Sequence, residues 1–316
     1  MQSYEIEHPK ILYISAVKFL FWILTFFYAI CSSGQNSIDL VNVYWRSSPF
    51  NKTENSALQH HLNTVSADAK LPIVLNDSNI FILGVEHQRN SITESESFSI
   101  ENGLNYHSSM LQLGWEHKWN ENSKMLIMGM TRLNSYDTKI KLNKLQQAWL
   151  VLGTTKKSER FQWKYGAYYN SEFFGPMIVP LFGFKWTPTP KWILNLVAPV
   201  NIELAYKPKE KFRIGLKYEG LNASYSIKST DPLNDIYLDK ADNNIWFFTE
   251  VECAKNIWAH LKMGHSILRE YTIYRADEKM DLKISAASVA DDRTETAPIL
   301  EDGISLELRL IYRLPL

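Results

Sequence analysis

The chain has 316 residues, and its 34 Lys and Arg balance its 34 Asp and Glu, so it carries no formal net charge at neutral pH. That balance argues against a nucleic-acid binder, which needs a basic surface to displace phosphate counterions. Mean hydropathy is −0.24, a value of soluble chains that does not exclude a membrane barrel, because barrel strands are apolar on one face only. The length suits one large β domain or two small ones.

The chain opens with an export signal. Lys10 and Lys18 precede an unbroken apolar stretch at 19–30, followed by Cys31-Ser32-Ser33-Gly34-Gln35. A basic flank, a short apolar core and small residues make a secretory signal. Ser32 and Gly34 fit cleavage before Gln35, so residues 1–34 are read as signal peptide and 35–316 as one domain. Two alternatives use the same residues: a lipoprotein anchored at Cys31, for which Tyr28-Ala29-Ile30 is a poor lipobox, and an uncleaved helical anchor. Removal of the segment leaves Cys253 as the one thiol, with no disulfide and no zinc-type Cys/His spacing. No long apolar run follows, so a membrane location requires a closed barrel, which satisfies its backbone without helices.

Strict period-two alternation recurs downstream. Leu111, Leu113, Trp115, His117 and Trp119 oppose Gln112, Gly114, Glu116 and Lys118. Segments 124–134 and 145–155 are less regular, because both their faces are apolar. Phe161, Trp163, Tyr165 and Ala167 oppose Gln162, Lys164, Gly166 and Tyr168. Val200, Ile202, Leu204 and Tyr206 oppose Asn201 and Glu203. Phe212, Ile214, Leu216 and Tyr218 oppose Arg213, Gly215, Lys217 and Glu219. The last strand sets Ile304, Leu306, Leu308, Leu310, Tyr312 and Leu314 against Ser305, Glu307, Arg309, Ile311 and Arg313. Alternation over about ten residues is the signature of a transmembrane strand.

Short turns fall at 76–78, 120–123, 156–159, 187–190, 207–210 and 254–256. Longer polar connections fall at 47–64, 90–103, 134–144, 171–178, 228–243 and 268–301, of which 289–301 reads as a mobile loop. Long and short connections therefore largely alternate, as they do between the two ends of an outer-membrane barrel. A secreted β-sandwich, the competing fold, has no reason to sort its loops by end. With both termini at the short-turn, periplasmic end, the strand number is even. Two strands across 191–206, bent at Ala198-Pro199, give about fourteen; one strand there gives twelve. The expected fold is an all-β, closed antiparallel transmembrane β-barrel.

Aromatic residues make up 13% of the chain, with 10 Trp and 16 Tyr. Trp119, Trp163, Trp186, Trp192 and Trp258 all sit near short turns. Indole prefers a membrane interface, so these residues are read as a periplasmic aromatic girdle, with Trp258 alone off the apolar face. The competing reading is that Trp simply begins and ends core strands.

The run Phe182-Gly183-Phe184-Lys185-Trp186 through Trp192-Ile193-Leu194-Asn195-Leu196, then Pro199 and Ala205-Tyr206, together with Lys70-Leu71-Pro72-Ile73-Val74-Leu75, resembles an uncharacterised family of outer-membrane barrels from Bacteroidota-type bacteria. The resemblance implies a barrel and carries no activity or functional residues. The chain departs from common barrel practice in ending on Leu316, with Tyr312 its nearest aromatic.

The face opposite the apolar one is expected to line the lumen. It carries Glu86, Glu116, Lys118, Lys164, Lys185, Glu203, Arg213, Lys217, Glu219, Glu250, Glu252, Lys262, Glu307, Arg309 and Arg313. An Arg or Lys on the lipid face costs about 2–4 kcal/mol near mid-bilayer, which turns these residues inward. A ring of one sign points to an ion-selective pore, whereas mixed signs point first to a cross-braced, partly filled lumen and second to a solute pathway.

No catalytic constellation stands out. Glu250 and Glu252, about 7 Å apart on one strand face, can do acid–base work only if their environments split them, and ion pairing is the simpler reading. His260 and Ser266 share a face but lie about 20 Å apart, too far for a Ser–His pair. His60-His61 is placed in an outer loop. No catalytic, cofactor or metal residues are assigned, and the expected surroundings are outer-membrane lipid and the outer-membrane insertion machinery. Three functions remain: passive transport of small polar solutes, a non-transporting surface barrel whose outer loops bind a partner, and a lipid-modifying enzyme at the barrel rim.

Overall fold

A computed structural model describes residues 37–53, 56–93, 103–137, 144–228, 235–294, 297–298 and 302–315. The expected signal peptide, its cleavage site and Cys31 lie outside the described residues, as do parts of the expected connections at 47–64, 90–103, 134–144, 228–243 and 268–301.

Alternating apolar and polar residues give strand after strand: β1 (Ser37–Thr53), β2 (Ser56–Asn76), β3 (Asn79–Thr93), β4 (Leu104–Asn120), β5 (Ser123–Ser135), β6 (Leu145–Ser158), β7 (Phe161–Glu172), β8 (Gly175–Thr189), β9 (Trp192–Ala198), β10 (Asn201–Lys209), β11 (Phe212–Ile227), β12 (Ile236–Ala254) and β13 (Ile257–Ser266). Four short pieces follow, β14 (Glu270–Arg275), β15 (Leu282–Ile284), β16 (Ala287–Val289) and β17 (Ala297–Pro298), before the last long strand, β18 (Ile304–Pro315). From β1 to β13 each strand pairs antiparallel with the next. β13 then pairs with β18, and β18 with β1. The ring is therefore a closed antiparallel barrel of fourteen strands, β1–β13 and β18. Closure leaves no free edge around the short-turn half of the wall, which is what a sheet needs in lipid. The segment around Pro199 holds two strands, β9 and β10, and both described ends of the chain lie at the short-turn end.

The exterior is apolar and exposed. Val43, Leu71, Phe81, Leu83, Leu111, Val151, Phe247, Leu261 and Leu308 all point outward. An exposed apolar band of this kind is unsuited to water and matches the belt of a transmembrane barrel. Leu113, 60% exposed, sits within it. Leu113→Arg is expected to cost about 2–4 kcal/mol, read as a lower unfolding midpoint on heat-modifiable gels, while Gln112→Arg on the opposite face should be milder.

Several expected loops are strand. β1 and β2 run on to Thr53 and from Ser56, β8 begins at Gly175, and β12 begins at Ile236. His60 and His61 belong to β2, not to a loop, and His60 is fully buried. The reason is that polar alternation continues past the lipid belt, so the strands rise beyond it as hairpins.

Two of these extensions leave the wall. The outer part of β11 turns across the barrel mouth: Ser226 pairs in parallel with Ser135 of β5, and Tyr136 N–H donates to Ser226 O at 2.8 Å. The outer part of β12 follows and pairs with β14. Between these segments and the opposite wall lies an apolar core in which Leu62, Ile92 and Tyr106 from β2–β4 meet Tyr225, Leu238 and Tyr271. Tyr106 and Tyr225 meet edge to face, with ring centroids 4.6 Å apart.

Candidate functional site: the lumen

The inner face divides into two unlike halves. On β10–β13, β18 and β1 it is charged, and the charges interlock. Glu250 accepts from Arg213 at 3.1 Å and Arg313 at 2.7 Å, with His260 Nδ1 3.7 Å away. Arg213 continues to Glu203 at 2.5 Å, and Arg313 to Asp39 at 2.5 Å. Higher in the barrel, Lys262 sits between Glu219 at 3.1 Å and Glu307 at 3.0 Å. Glu307 also accepts from Arg46 at 2.6 Å and Arg309 at 2.9 Å, while Glu219 takes Lys217 at 2.8 Å and Arg46 at 3.5 Å. The side chains of Lys262 and Glu307 are 0% exposed. Trp246 is buried among them, with Arg46 and Lys262 5.0 and 5.3 Å from its ring centroid. Burial makes the arrangement demanding: each ion loses its water and must recover it from partners.

The inner face of β3–β9 is largely aliphatic. Ile82, Met110, Met128 and Met130 line it on β3–β5, and Leu150, Leu152, Val179, Leu181 and Val197 on β6–β9. Its charges gather toward the ends. Near the short turns Lys124 pairs with Glu116 at 2.9 Å, and Lys164 donates to Asn195 at 2.7 Å, with Lys185 inward on β8. Toward the mouth, buried Glu172 is a clasp. It accepts from Arg132 at 2.8 Å, Gln146 at 2.8 Å and the backbone N–H and Oγ of Ser224 at 2.7 and 2.5 Å. Ser224 belongs to the inturned part of β11, so Glu172 holds that segment against β5–β7.

Of the residues expected in the lumen, Glu116, Lys164, Glu203, Arg213, Lys217, Glu219, Glu250, Lys262, Glu307, Arg309 and Arg313 point inward. Two need correction. Lys118 has the inward parity but is exposed at the short-turn rim, because its strand ends two residues later. Glu252 also lies at the rim, where it accepts from Asn256 N–H at 3.0 Å and pairs with Lys211 at 3.3 Å. It serves the turn, so Glu250 and Glu252 do not act as a pair. His260 and Ser266 stay apart too, with Ser266 Oγ accepting from Gly303 N–H at 2.8 Å.

Trp119, Trp163, Trp186 and Trp192 stand on outward positions near the short turns. Trp163 meets Phe161 and Phe182 at 4.8 and 5.5 Å, and Trp192 meets Tyr206 at 4.7 Å. Trp258 faces inward beneath Arg313, 5.2 Å from its ring. A second outward aromatic set was not anticipated. Trp149 pairs with Tyr169, which lies about 20 Å along β7 from Trp163 at ordinary strand rise. With strands tilted by about 35–45°, that is about 15 Å along the barrel axis, so both sets fall within the height of the apolar belt.

Beyond the β15–β16 hairpin, the connection after β14 is pinned to the cap. Arg293 pairs with Asp239 at 3.1 Å and Asp291 at 2.8 Å and lies 4.0 Å over the Tyr274 ring. The Arg293 guanidinium holds the Asp291 carboxyl below the usual carboxylate range. The part of 289–301 expected to be mobile is therefore anchored at Arg293, and residues 295–296 and 299–301 lie outside the described residues.

Belt, closure and lumen together define a transmembrane β-barrel. The chain belongs to the family described as a domain of unknown function (DUF6268), whose model matches residues 42–296. No curated protein matches it in sequence. Among solved structures it is similar to an outer membrane channel from Pseudomonas putida F1, at 9% identity over 98% of this chain and 100% of that chain, with a TM-score of 0.45. It is also similar to the translocator domain of the autotransporter NalP from Neisseria meningitidis, at 8% identity over 95% of each chain and a TM-score of 0.40.

Proposed function

We propose that this chain is an outer-membrane barrel of a Bacteroidota-type, Gram-negative envelope that passes small amphipathic solutes rather than serving as an open pore for polar ones. The two-faced lumen carries the reading. An ion-paired wall facing an aliphatic wall offers a solute both a polar and an apolar side, and the inturned β11–β12 hairpin crosses the axial path. In this reading residues 1–34 direct export and are removed before Gln35, outer-membrane insertion machinery assembles 35–316 into lipid, and the short turns face the periplasm. The order of basic, apolar and small residues supports the first point, and the apolar belt with its Trp residues near the short turns supports the rest. The reading assigns the chain no reaction.

The test uses cells that carry the barrel in the outer membrane. N-phenyl-1-naphthylamine, an amphipathic probe that fluoresces on reaching phospholipid, should enter several-fold faster than in vector controls. Nitrocefin hydrolysis by periplasmic β-lactamase, which reports a larger polar solute, should not accelerate. Faster nitrocefin entry with unchanged probe uptake would reverse the assignment in favour of a polar pore.

A further inference from the structure

The wall is not of even height. β9 and β10 hold 7 and 9 residues, whereas their outer neighbours β8 and β11 hold 15 and 16. β8 meets β9 only from Phe182↔Ala198 toward the short turns, and β10 meets β11 only from Asn201↔Glu219. The last link is Gly220 N–H donating to Val200 O at 2.9 Å. Pro199 has no N–H to give a ladder, so the hairpin turns there. Beyond it, residues 175–181 of β8 have no wall strand beside them, because β9 and β10 have ended and the outer part of β11 turns inward, where Asn222 Nδ2 lies 4.0 Å from Met177 Sδ. The break lies within the lipid belt, since Ile178, Pro180 and Phe182 point outward along it.

A small hairpin occupies part of the break. β15 runs parallel to β8, pairing Lys283↔Met177 and Ile284↔Ile178, and β16 pairs with β15. Ser285 N–H donates to Ile178 O at 3.0 Å, and Met280 N–H to Phe174 O at 2.9 Å. Among the described residues, no ladder joins β16 to β11. Bare strand edges are disfavoured at membrane depth, so this seam needs a cover, and the cover is held by a two-rung ladder rather than by full strands. Behind it, Met177, Val179, Leu181 and Tyr274 form an apolar cluster continuous with Leu150 and Val197 of the aliphatic lumen wall. Leu221, next to the last link, is 48% exposed.

The geometry points to a lateral port: small apolar or amphipathic molecules pass between the aliphatic half of the lumen and the hydrocarbon core of the membrane through the seam between β8 and β11, with the β15–β16 hairpin as its stopper. This rests on the reading that the barrel passes amphipathic solutes, and it adds where they leave.

Cysteines at paired positions of adjacent strands lie within disulfide range. The double variant Ile178→Cys/Ile284→Cys, in a Cys253→Ser background, therefore pins the stopper to β8 when oxidised. N-phenyl-1-naphthylamine uptake should fall to the vector rate in oxidised cells and return on reduction with dithiothreitol, so each sample is its own folding control. Lys283→Ala, which removes the ammonium lying 5.0 Å over the Phe174 ring, should loosen the stopper and raise uptake at least twofold. Rapid uptake through a barrel whose disulfide is shown to have formed would overturn the port while leaving amphipathic transport in place. No acceleration by the unmodified barrel would overturn both.

Discussion

The double variant Glu172→Ala/Tyr225→Ala should carry a steady current in planar bilayers in which the native barrel is nearly silent. Glu172 is the acceptor that holds Ser224, and with it the inturned end of β11, to the opposite wall. Removing it strands Arg132 without its buried carboxylate, a loss of about 3–5 kcal/mol. Tyr225 anchors the apolar side of the same contact against Tyr106, and truncating a buried aromatic costs about 3–5 kcal/mol. At the lower ends of both ranges the sum is about 6 kcal/mol. A swing of about 5.5 kcal/mol is enough to take a two-state element from 1:99 to 99:1, so the cap should change from mostly closed to mostly open. Each single variant should give brief openings only. If the folded double variant stays as silent as the native protein, the inturned hairpin is not the axial barrier.

Glu307→Gln should be among the most damaging single changes in the chain. The carboxylate is shared by Arg46, Lys262 and Arg309, and a neutral amide leaves three cations with Glu219 as their nearby anion. Losing one partner of a buried ionic cluster costs about 3–5 kcal/mol, whereas replacing both partners with apolar groups is far milder. Adding Lys262→Met should therefore recover part of the loss. Urea unfolding in detergent, followed by the heat-modifiable shift, measures both variants. A Gln variant within about 1 kcal/mol of the native barrel would mean that the cluster is solvated and contributes little.

The closed barrel and its even count were legible because lipid imposes period two on the outer face and loop length sorts the two ends. The inward placement of residues such as Arg213 and Glu307 followed from the same alternation. Segments 124–134 and 145–155 seemed irregular for an informative reason: Met128, Met130, Leu150 and Leu152 face an aliphatic lumen, so both faces are apolar. The partners of the inward charges were not legible, since Arg46 and Glu219 meet across several strands. Nor was the cap. The polar run at 228–243 carries no mark of which way its hairpin bends, and the bend depends on Tyr106 and Glu172 far away in sequence. Lys118 and Glu252 were misplaced because parity gives the face of a strand but not the height along it.

The cluster around Glu307 also spans the seam where the first strand meets the last. Arg46 stands opposite Glu307, and Asp39 opposite Arg313. A ring that closed two residues out of register would keep every side chain on its proper face and so pass any test of hydrophobicity. It would, however, set Arg46 opposite Arg309 or Ser305. Alternation alone cannot reject that error, but charge can. The ion pairs thus favour one among several equally greasy closures of the two ends of the chain.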